Sequence, residues 1–180
     1  MSQTQTTLLV AAVVLVVAVI AYAAWQRRRT AQLRERFGPE YDHTVATRGR
    51  RRAVSELRQR EKVHAQLDLR PLPASDLERY RAQWSAIQSQ FVDDPEQAVR
   101  AAEQLSGRIM SDRGYPAHNF EEGAAQVSVD HPEVVQRYRA AHSLAIEQER
   151  GQPTTEELRR AMTAYRSLVD VLLEDGQQQP

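Results

Sequence analysis

Three groups of side chains in this sequence could carry chemistry: five histidines, three pairs of adjacent carboxylates and a cluster of arginines. The absence of cysteine excludes disulfide bonds, thiolate metal ligands and cysteine nucleophiles. A metal site on a helix needs ligands one turn apart on the same face, and no two histidines have that spacing. We therefore predict neither a metal site nor a cofactor.

The carboxylate pairs, Asp93-Asp94, Glu121-Glu122 and Glu156-Glu157, are the candidates for acid–base catalysis. Two adjacent carboxyl groups can act as acid and base when their environments separate their pKa values. All three pairs fall at the predicted start of a helix, where the helix dipole favours negative charge. The sequence also lacks a glycine-rich phosphate loop, a nucleophile elbow and a dinucleotide-binding fingerprint. We predict that the protein is not an enzyme and has neither catalytic residues nor a small-molecule substrate.

Arginine is concentrated in residues 27–60, where eleven arginines and four carboxylates give a net charge of +7. Residues 61–180 contain thirteen basic and twenty acidic residues, a net charge of −7, so the total is zero. Such a cluster can contact nucleic acid or anionic lipid, or can form a solvated helix face. No base-stacking aromatic residues are interleaved with the later arginines, which argues against nucleic acid. The residues predicted to bind lipid headgroups are Arg27, Arg28, Arg29, Arg48, Arg50, Arg51 and Arg52.

An uncharged apolar run precedes these arginines, with the sequence LLVAAVVLVVAVIAYAAW from Leu8 to Trp25. About twenty helical residues span the hydrocarbon core of a bilayer, and this run shows no polar face. Tyr22 and Trp25 stand at its end, where aromatic rings favour the headgroup level. The sequence predicts a transmembrane anchor over residues 1–26.

A cleaved signal peptide is the alternative, because Ala21-Tyr22-Ala23 resembles a cleavage site. Against it, the run is longer than a usual signal core, and its basic residues follow it instead of preceding it. Basic residues stay on the cytoplasmic side, so we predict a single-pass protein with its N-terminus outside and its C-terminal domain in the cytoplasm. A mature chain that starts at Ala24 would instead be an extracytoplasmic helical domain, secreted or held in the envelope, with a structural or stress role.

The remainder of the chain is predicted to be all-α. Residues 27–69 form a basic juxtamembrane arm, poor in apolar residues, which we expect to be helical but only partly packed and broken at Gly38-Pro39. Residues 70–174 form a bundle of about five helices, since apolar residues recur there at helical spacing. Residues 175–180 are expected to be a disordered tail. Five capping patterns mark the helix starts, namely Ser75…Glu78, Asp94…Gln97, Asn119…Glu122, Asp130…Glu133 and Thr154…Glu157.

Two loops of the bundle combine turn residues with polar or aromatic groups that helix formation does not require. Tyr115, His118 and His131 lie in or beside these loops, so we take them as a candidate partner surface. We expect His142, four residues after Tyr138 on one helical face, to be a half-buried packing residue.

Three stretches resemble a known family: LRERFGPEYDHTV (33–45), RGYPAHNFE (113–121) and SVDHPEVVQRYRAAH (128–142). It is a family of uncharacterised, predicted single-pass membrane proteins of high-GC bacteria, some of them labelled secreted. The resemblance implies a membrane protein but no activity, substrate or site residue. With the charge pattern, it leads us to expect a membrane-anchored helical scaffold that contacts anionic headgroups and a protein partner.

Overall fold

The computed structural model describes residues 3–147 and 153–174, with side chains from residue 14 onward except at 26, 29 and 145–147. Over these residues the chain forms seven α-helices and no strand, which confirms the all-α prediction. The predicted tail, 175–180, lies outside the described residues. The helices are α1 (Gln3–Arg48), α2 (Arg50–His64), α3 (Ala74–Asp93), α4 (Pro95–Asp112), α5 (Phe120–Asp130), α6 (Pro132–Glu147) and α7 (Thr155–Glu174).

The chain divides into two compact units, 1–36 and 37–180. In the first unit, α1 carries large apolar side chains that are between 49% and 67% exposed. These side chains are Val14, Leu15, Val16, Val17, Val19, Ile20, Tyr22 and Trp25. Among the described residues, no helix is long and apolar enough to cross a membrane. The spanning helix predicted over 8–25 is therefore not confirmed, and the side chains of its first six residues, 8–13, lie outside the described part.

Helix α1 is interrupted at Gly38, whose φ of 44° and ψ of −121° are not helical. Glycine tolerates a positive φ because it has no Cβ, and the following Pro39 has no N–H to donate to the preceding turn. The interruption confirms the break predicted at these two residues. After Arg48, a second glycine with positive φ, Gly49 at 77°, separates α1 from α2.

The arm is packed more fully than the sequence suggested. Phe37 and Tyr41 of α1 and Ala53 and Leu57 of α2 are each at most 6% exposed. Helix α2 packs against α5, and residues 37–69 of the arm belong to the same unit as the bundle, whereas residues 27–36 belong to the first unit. The described helices consequently number seven, more than the five or so predicted for the bundle, because the arm contributes helices of its own.

The core of the bundle is built by the apolar faces of α3 to α7. Helix α4 packs against α3 and α7, and α6 packs against α5 and α7. The helical spacing in the sequence predicted these faces, since the described members of its apolar stripes are buried in the core or packed against it. The largest of them, each less than 2% exposed, include Tyr165, Leu105, Ile109, Leu168 and Leu172.

Three of the predicted helix caps form. The side-chain oxygens of Asp94, Asn119 and Thr154 accept hydrogen bonds of 3.0 to 3.3 Å from the backbone amide three residues later. The cap predicted at Ser75 is wrong: α3 begins at Ala74, after Pro73, and has no side-chain cap. Proline accounts for this early start, because its fixed φ is compatible with the residue that leads into a helix.

The connector between α2 and α3 is held by the end of α4. The backbone amide of Arg70 donates to the carbonyl of Arg113 at 3.0 Å, and the buried Arg113 guanidinium donates to the carbonyl of Leu172 at 2.8 Å. Gly114 has a φ of 91°, and a Cβ there would collide with the carbonyl oxygen of Asp68. Glycine is therefore required at 114 by both its conformation and its neighbour.

Truncation of Leu57 tests whether the arm is packed. We expect Leu57→Ala to lower the free energy of unfolding of the full chain in detergent micelles by about 2–5 kcal/mol, because the side chain is fully buried. Urea denaturation followed by circular dichroism measures the change. The matched control is Arg51→Ala on the exposed face of α2, which should change stability by no more than about 0.5 kcal/mol. Equal effects of the two substitutions would contradict the packing of α2.

Candidate functional site

The most unusual side chain in the described part of the chain is Glu40, a carboxylate with no exposed surface. Its Oε1 lies 2.5 Å from Nη1 of Arg60 on α2. Its Oε2 accepts hydrogen bonds from Nη1 of Arg139 at 2.5 Å and from Nε2 of Gln136 at 2.7 Å, both on α6. Both oxygens are therefore occupied, and the carboxylate joins three helices. We call Glu40, Arg60, Gln136 and Arg139 the buried carboxylate network.

The network extends to the surface through its two arginines. Nη2 of Arg60 lies 2.5 Å from Oε1 of Glu56, one turn earlier on α2, and Nη1 lies 3.4 Å from Oγ of Ser128 on α5. Nε of Arg139 lies 3.6 Å from the exposed carboxylate of Glu121 at the start of α5. The charges of the arginines are thus shared between the buried Glu40 and partly or fully exposed carboxylates.

Two opposing effects act on the pKa of Glu40. Burial is the largest influence and by itself raises the pKa, because it disfavours the charged form. The hydrogen bonds and positive charges of Arg139 and Arg60 together outweigh burial and leave the pKa below the ordinary value of 4.5. Glu40 is therefore ionised at neutral pH. A general base needs a lone pair that a substrate can reach, and Glu40 offers none.

A cavity of about 510 Å³ lies beside the network, between α2 and α5. Six of its lining residues are spaced three or four apart along α2, which places them on one helical face. The seventh, Gln126 of α5, is only 6% exposed, and its Oε1 has no hydrogen-bond partner in the described part of the chain. The lining residues of this α2–α5 cavity are Arg52, Ser55, Glu56, Gln59, Arg60, Val63 and Gln126.

A second concavity, of about 470 Å³, lies between α6 and α7. Its floor is built from small and apolar side chains, and its rim carries arginines. The floor includes Ala140, Ala141, Leu144, Ala161 and Ala164, and the rim includes Arg137, Arg159 and Arg160. This α6–α7 cleft has the chemistry of a shallow surface for an apolar side chain, not of a catalytic pocket.

The arginines predicted to bind headgroups are exposed wherever the structure describes them. Arg27 and Arg28 are exposed in the first unit, while the side chain of Arg29 lies outside the described part. In the second unit, Arg48, Arg50, Arg51 and Arg52 are exposed around the start of α2. Nε of Arg48 lies 3.8 Å from the carboxylate of Glu56, and Arg52 lines the α2–α5 cavity.

The three residues of the candidate partner surface do not share a common environment. Tyr115 is only 3% exposed, and its ring centroid lies 6.3 Å from that of His64. The side chain of His131 is 16% exposed, whereas that of His118 is 78% exposed and lies 3.2 Å from Glu122. Of the three, only His118 is a surface residue. The turn residues around Tyr115 led us to assign it to a partner surface, but its aromatic ring lies in the hydrophobic core.

His142 is half-buried, as the sequence predicted, and joins two helices and the start of a third. Its Nδ1 lies 2.6 Å from Oε1 of Glu103 on α4, and its ring stacks on Phe120 at 3.5 Å. The ring centroid of Tyr138 lies 4.8 Å from that of Phe120. Burial is the main cause that raises the pKa of Tyr138. The Glu103 contact was not foreseen. Within the described residues no group of three or more potential ligands could hold a metal ion.

Sequence reasoning missed the buried carboxylate network. Glu40, Arg60 and Arg139 entered the prediction only through the charge totals of their segments, because charged residues are ordinarily exposed. A signal was present: Phe37, Tyr41 and Thr44 recur at helical spacing around Glu40, and all of them are buried.

Neutralising Glu40 should destabilise the protein strongly. We expect Glu40→Gln to lower the free energy of unfolding at neutral pH by about 3–5 kcal/mol, because Arg60 and Arg139, whose side chains are only 12% and 13% exposed, lose the buried carboxylate that they share. Because the pKa of Glu40 is lowered by folding, its stabilising effect is present above about pH 4.5 and is lost as the pH falls through the folded-state pKa. The difference between wild type and Glu40→Gln should therefore shrink on acidification.

The measurement is urea denaturation of the full chain in micelles at a series of pH values. Asp93→Asn is the matched control, since it removes the same charge from an exposed carboxyl at the end of α3. It should change stability by about 0.5 kcal/mol or less. A Glu40→Gln protein as stable as this control would show that the carboxylate does not hold the helices together.

Comparison with known proteins assigns no relative to the chain. No protein-family model, curated protein or solved structure matches it. Function is therefore inferred from the exposed apolar helix, the arginines and the two concavities.

Proposed function

We propose that the protein is a single-pass membrane protein in which α1 anchors the chain, the arginines contact anionic headgroups and the helical bundle contacts a protein partner. The observation that carries the proposal is the exposed apolar surface of α1. The four consecutive residues 14–17 are each more than half exposed. Successive side chains on a helix point about 100° apart, so this segment of α1 is apolar on every side. Water-exposed apolar surface of that extent is typical of membrane or protein contact.

The end of the apolar segment supports an interfacial position. The rings of Tyr22 and Trp25 lie 6.1 Å apart, and both are about half exposed or more. Arg27 and Arg28 follow them and are exposed. Aromatic rings and then basic residues are the usual order from the hydrocarbon to the cytoplasmic headgroups. On this basis we place the N-terminus outside and the bundle in the cytoplasm.

The arm supplies a second contact with the bilayer surface. The buried face of α2, with Ala53 and Leu57, packs on the bundle, and its exposed face carries Arg50, Arg51 and Arg52. Each basic residue near an anionic leaflet contributes about 1 kcal/mol of attraction. Because α2 is fixed on the bundle, this attraction would act on the whole second unit.

The bundle is proposed to act as an interaction domain and not as an enzyme. The more apolar of the two concavities is the α6–α7 cleft, whose arginine rim suits a partner helix with acidic residues flanking an apolar side chain. The carboxylate that is most deeply buried is fully used in joining helices. These features favour a scaffold role over catalysis.

Charges placed in the apolar segment should abolish membrane insertion. We expect the full chain to remain in the membrane pellet after a high-salt wash, and the double variant Val16→Asp/Val19→Asp to be released. Each charge costs about 2.5–3.5 kcal/mol at the centre of a spanning helix. The control, Val16→Leu/Val19→Leu, should stay in the pellet. Release of the wild-type chain by salt alone would contradict anchoring by α1.

The orientation is tested by protease protection. In inverted inner-membrane vesicles the bundle should be digested, whereas in intact spheroplasts it should be protected, because the basic residues keep it in the cytoplasm. Immunoblotting against a C-terminal tag measures this, with a periplasmic protein as control. The opposite pattern would favour the extracytoplasmic alternative, and N-terminal sequencing would then show whether the chain is cleaved before Ala24.

A further inference from the structure

We propose that the α2–α5 cavity binds a glycerophosphate group, that is, a phosphate bearing neighbouring hydroxyls. This chemistry is found both in the headgroup of phosphatidylglycerol and in free glycerol phosphate. Phosphatidylglycerol as the source of the ligand rests on the proposed membrane function, whereas the binding site itself does not. The sequence does not predict this cavity, because Gln126 of α5 lies more than sixty residues after the lining residues of α2.

The cavity has the size and the fixed walls that a small polar ligand needs. Its volume of about 510 Å³ lies in the usual range for ligand pockets, about 300–1,000 Å³. Arg60, on its wall, is held by Glu40 on one side and by Glu56 on the other, each at 2.5 Å. That wall is therefore preorganised, and the ligand would not have to order it.

The floor of the cavity contains an acceptor that lacks a donor. Gln126 is 6% exposed, and its Oε1 has no hydrogen-bond partner within the residues that the structure describes. An unsatisfied buried carbonyl of this kind costs about 1–3 kcal/mol. A ligand hydroxyl would satisfy it, whereas hydrogen phosphate could donate its single P–OH hydrogen only by bringing its negative charge against the amide oxygen. The floor thus favours a ligand with hydroxyl groups over a simple anion.

The rim of the cavity supplies the charge for a phosphate. Arg52 is exposed at the rim, while the carboxylate of Glu56 is already balanced by Arg60 and by Arg48 at 3.8 Å. Arg52 is thus the cation that can turn to a phosphate in the cavity. Ser55 and Gln59 lie one and two turns further along the same face of α2 and offer further hydrogen bonds. No aromatic residue lines the cavity, so a nucleotide base would find no stacking surface.

The site is tested by isothermal titration calorimetry of the full chain in uncharged detergent micelles. We expect glycerol phosphate to bind more tightly than inorganic phosphate or glycerol alone. Arg52→Gln and Gln126→Met should each weaken binding by about tenfold, since each removes one partner of the ligand. The matched control is Lys62→Gln, which removes the same charge from an exposed position of the same helix but does not line the cavity, and it should bind as the wild type does.

Each outcome decides the proposal. No measurable binding of glycerol phosphate, or equal binding of inorganic phosphate, would overturn it. Equal weakening by Lys62→Gln and Arg52→Gln would also overturn it, because general electrostatic attraction would then explain the affinity. Thermal unfolding of the variants separates a lost site from a lost fold, and Arg52, being exposed, is not needed for the fold.

A second titration identifies the source of the ligand. The full chain is reconstituted in vesicles of phosphatidylcholine with either phosphatidylglycerol or phosphatidylserine at equal charge density. If the lipid headgroup occupies the cavity, phosphatidylglycerol should compete and weaken the apparent affinity for glycerol phosphate. Equal affinities in the two vesicles would assign the cavity to free glycerol phosphate. If the chain binds glycerol phosphate in micelles but is released from membranes by salt alone, the site is retained and only the membrane anchor is rejected.

Discussion

The packing of the second unit depends on one constraint, which is that the carboxylate of Glu40 has no contact with water. Burial of an isolated carboxylate is strongly unfavourable, so the charge must be met by donors from the protein. Arg60 supplies them from α2, and Arg139 and Gln136 supply them from α6. The end of α1 can therefore pack within the second unit only when α2 and α6 are already in position. A segment too poor in apolar residues to fold alone is held by charge pairing together with a few buried side chains.

This constraint also explains how a basic arm and an acidic bundle form one unit. On α2, Arg60 points inward to the carboxylates of Glu40 and Glu56 and lines the α2–α5 cavity. A second set of α2 arginines, Arg50, Arg51 and Arg52, stays exposed. The exposed set remains available for external anions. The positive charge of the arm is thus divided between internal pairing with carboxylates and exposed arginines.

Much of the fold could be predicted from the sequence, because helices leave local signals. The apolar spacing, the break at Gly38 and the caps at Asp94 and Asn119 are all encoded within a few neighbouring residues. The candidate site could not be predicted in the same way, because it is made of long-range contacts between charged residues. Hydropathy places such residues at the surface, and only the apolar neighbours of Glu40 indicate otherwise. Tyr115 is the opposite case, since it lies in a loop rich in turn residues and yet its aromatic ring is buried in the core.

The pair formed by Glu40 and Arg139 joins residues that are 99 positions apart, and this separation has a consequence for biosynthesis. A ribosome adds about 5–20 residues per second, so Glu40 is made about 5–20 s before its partner. During that interval the carboxylate stays hydrated and the arm cannot dock. Docking of the arm is consequently a late event, which follows the synthesis of α6.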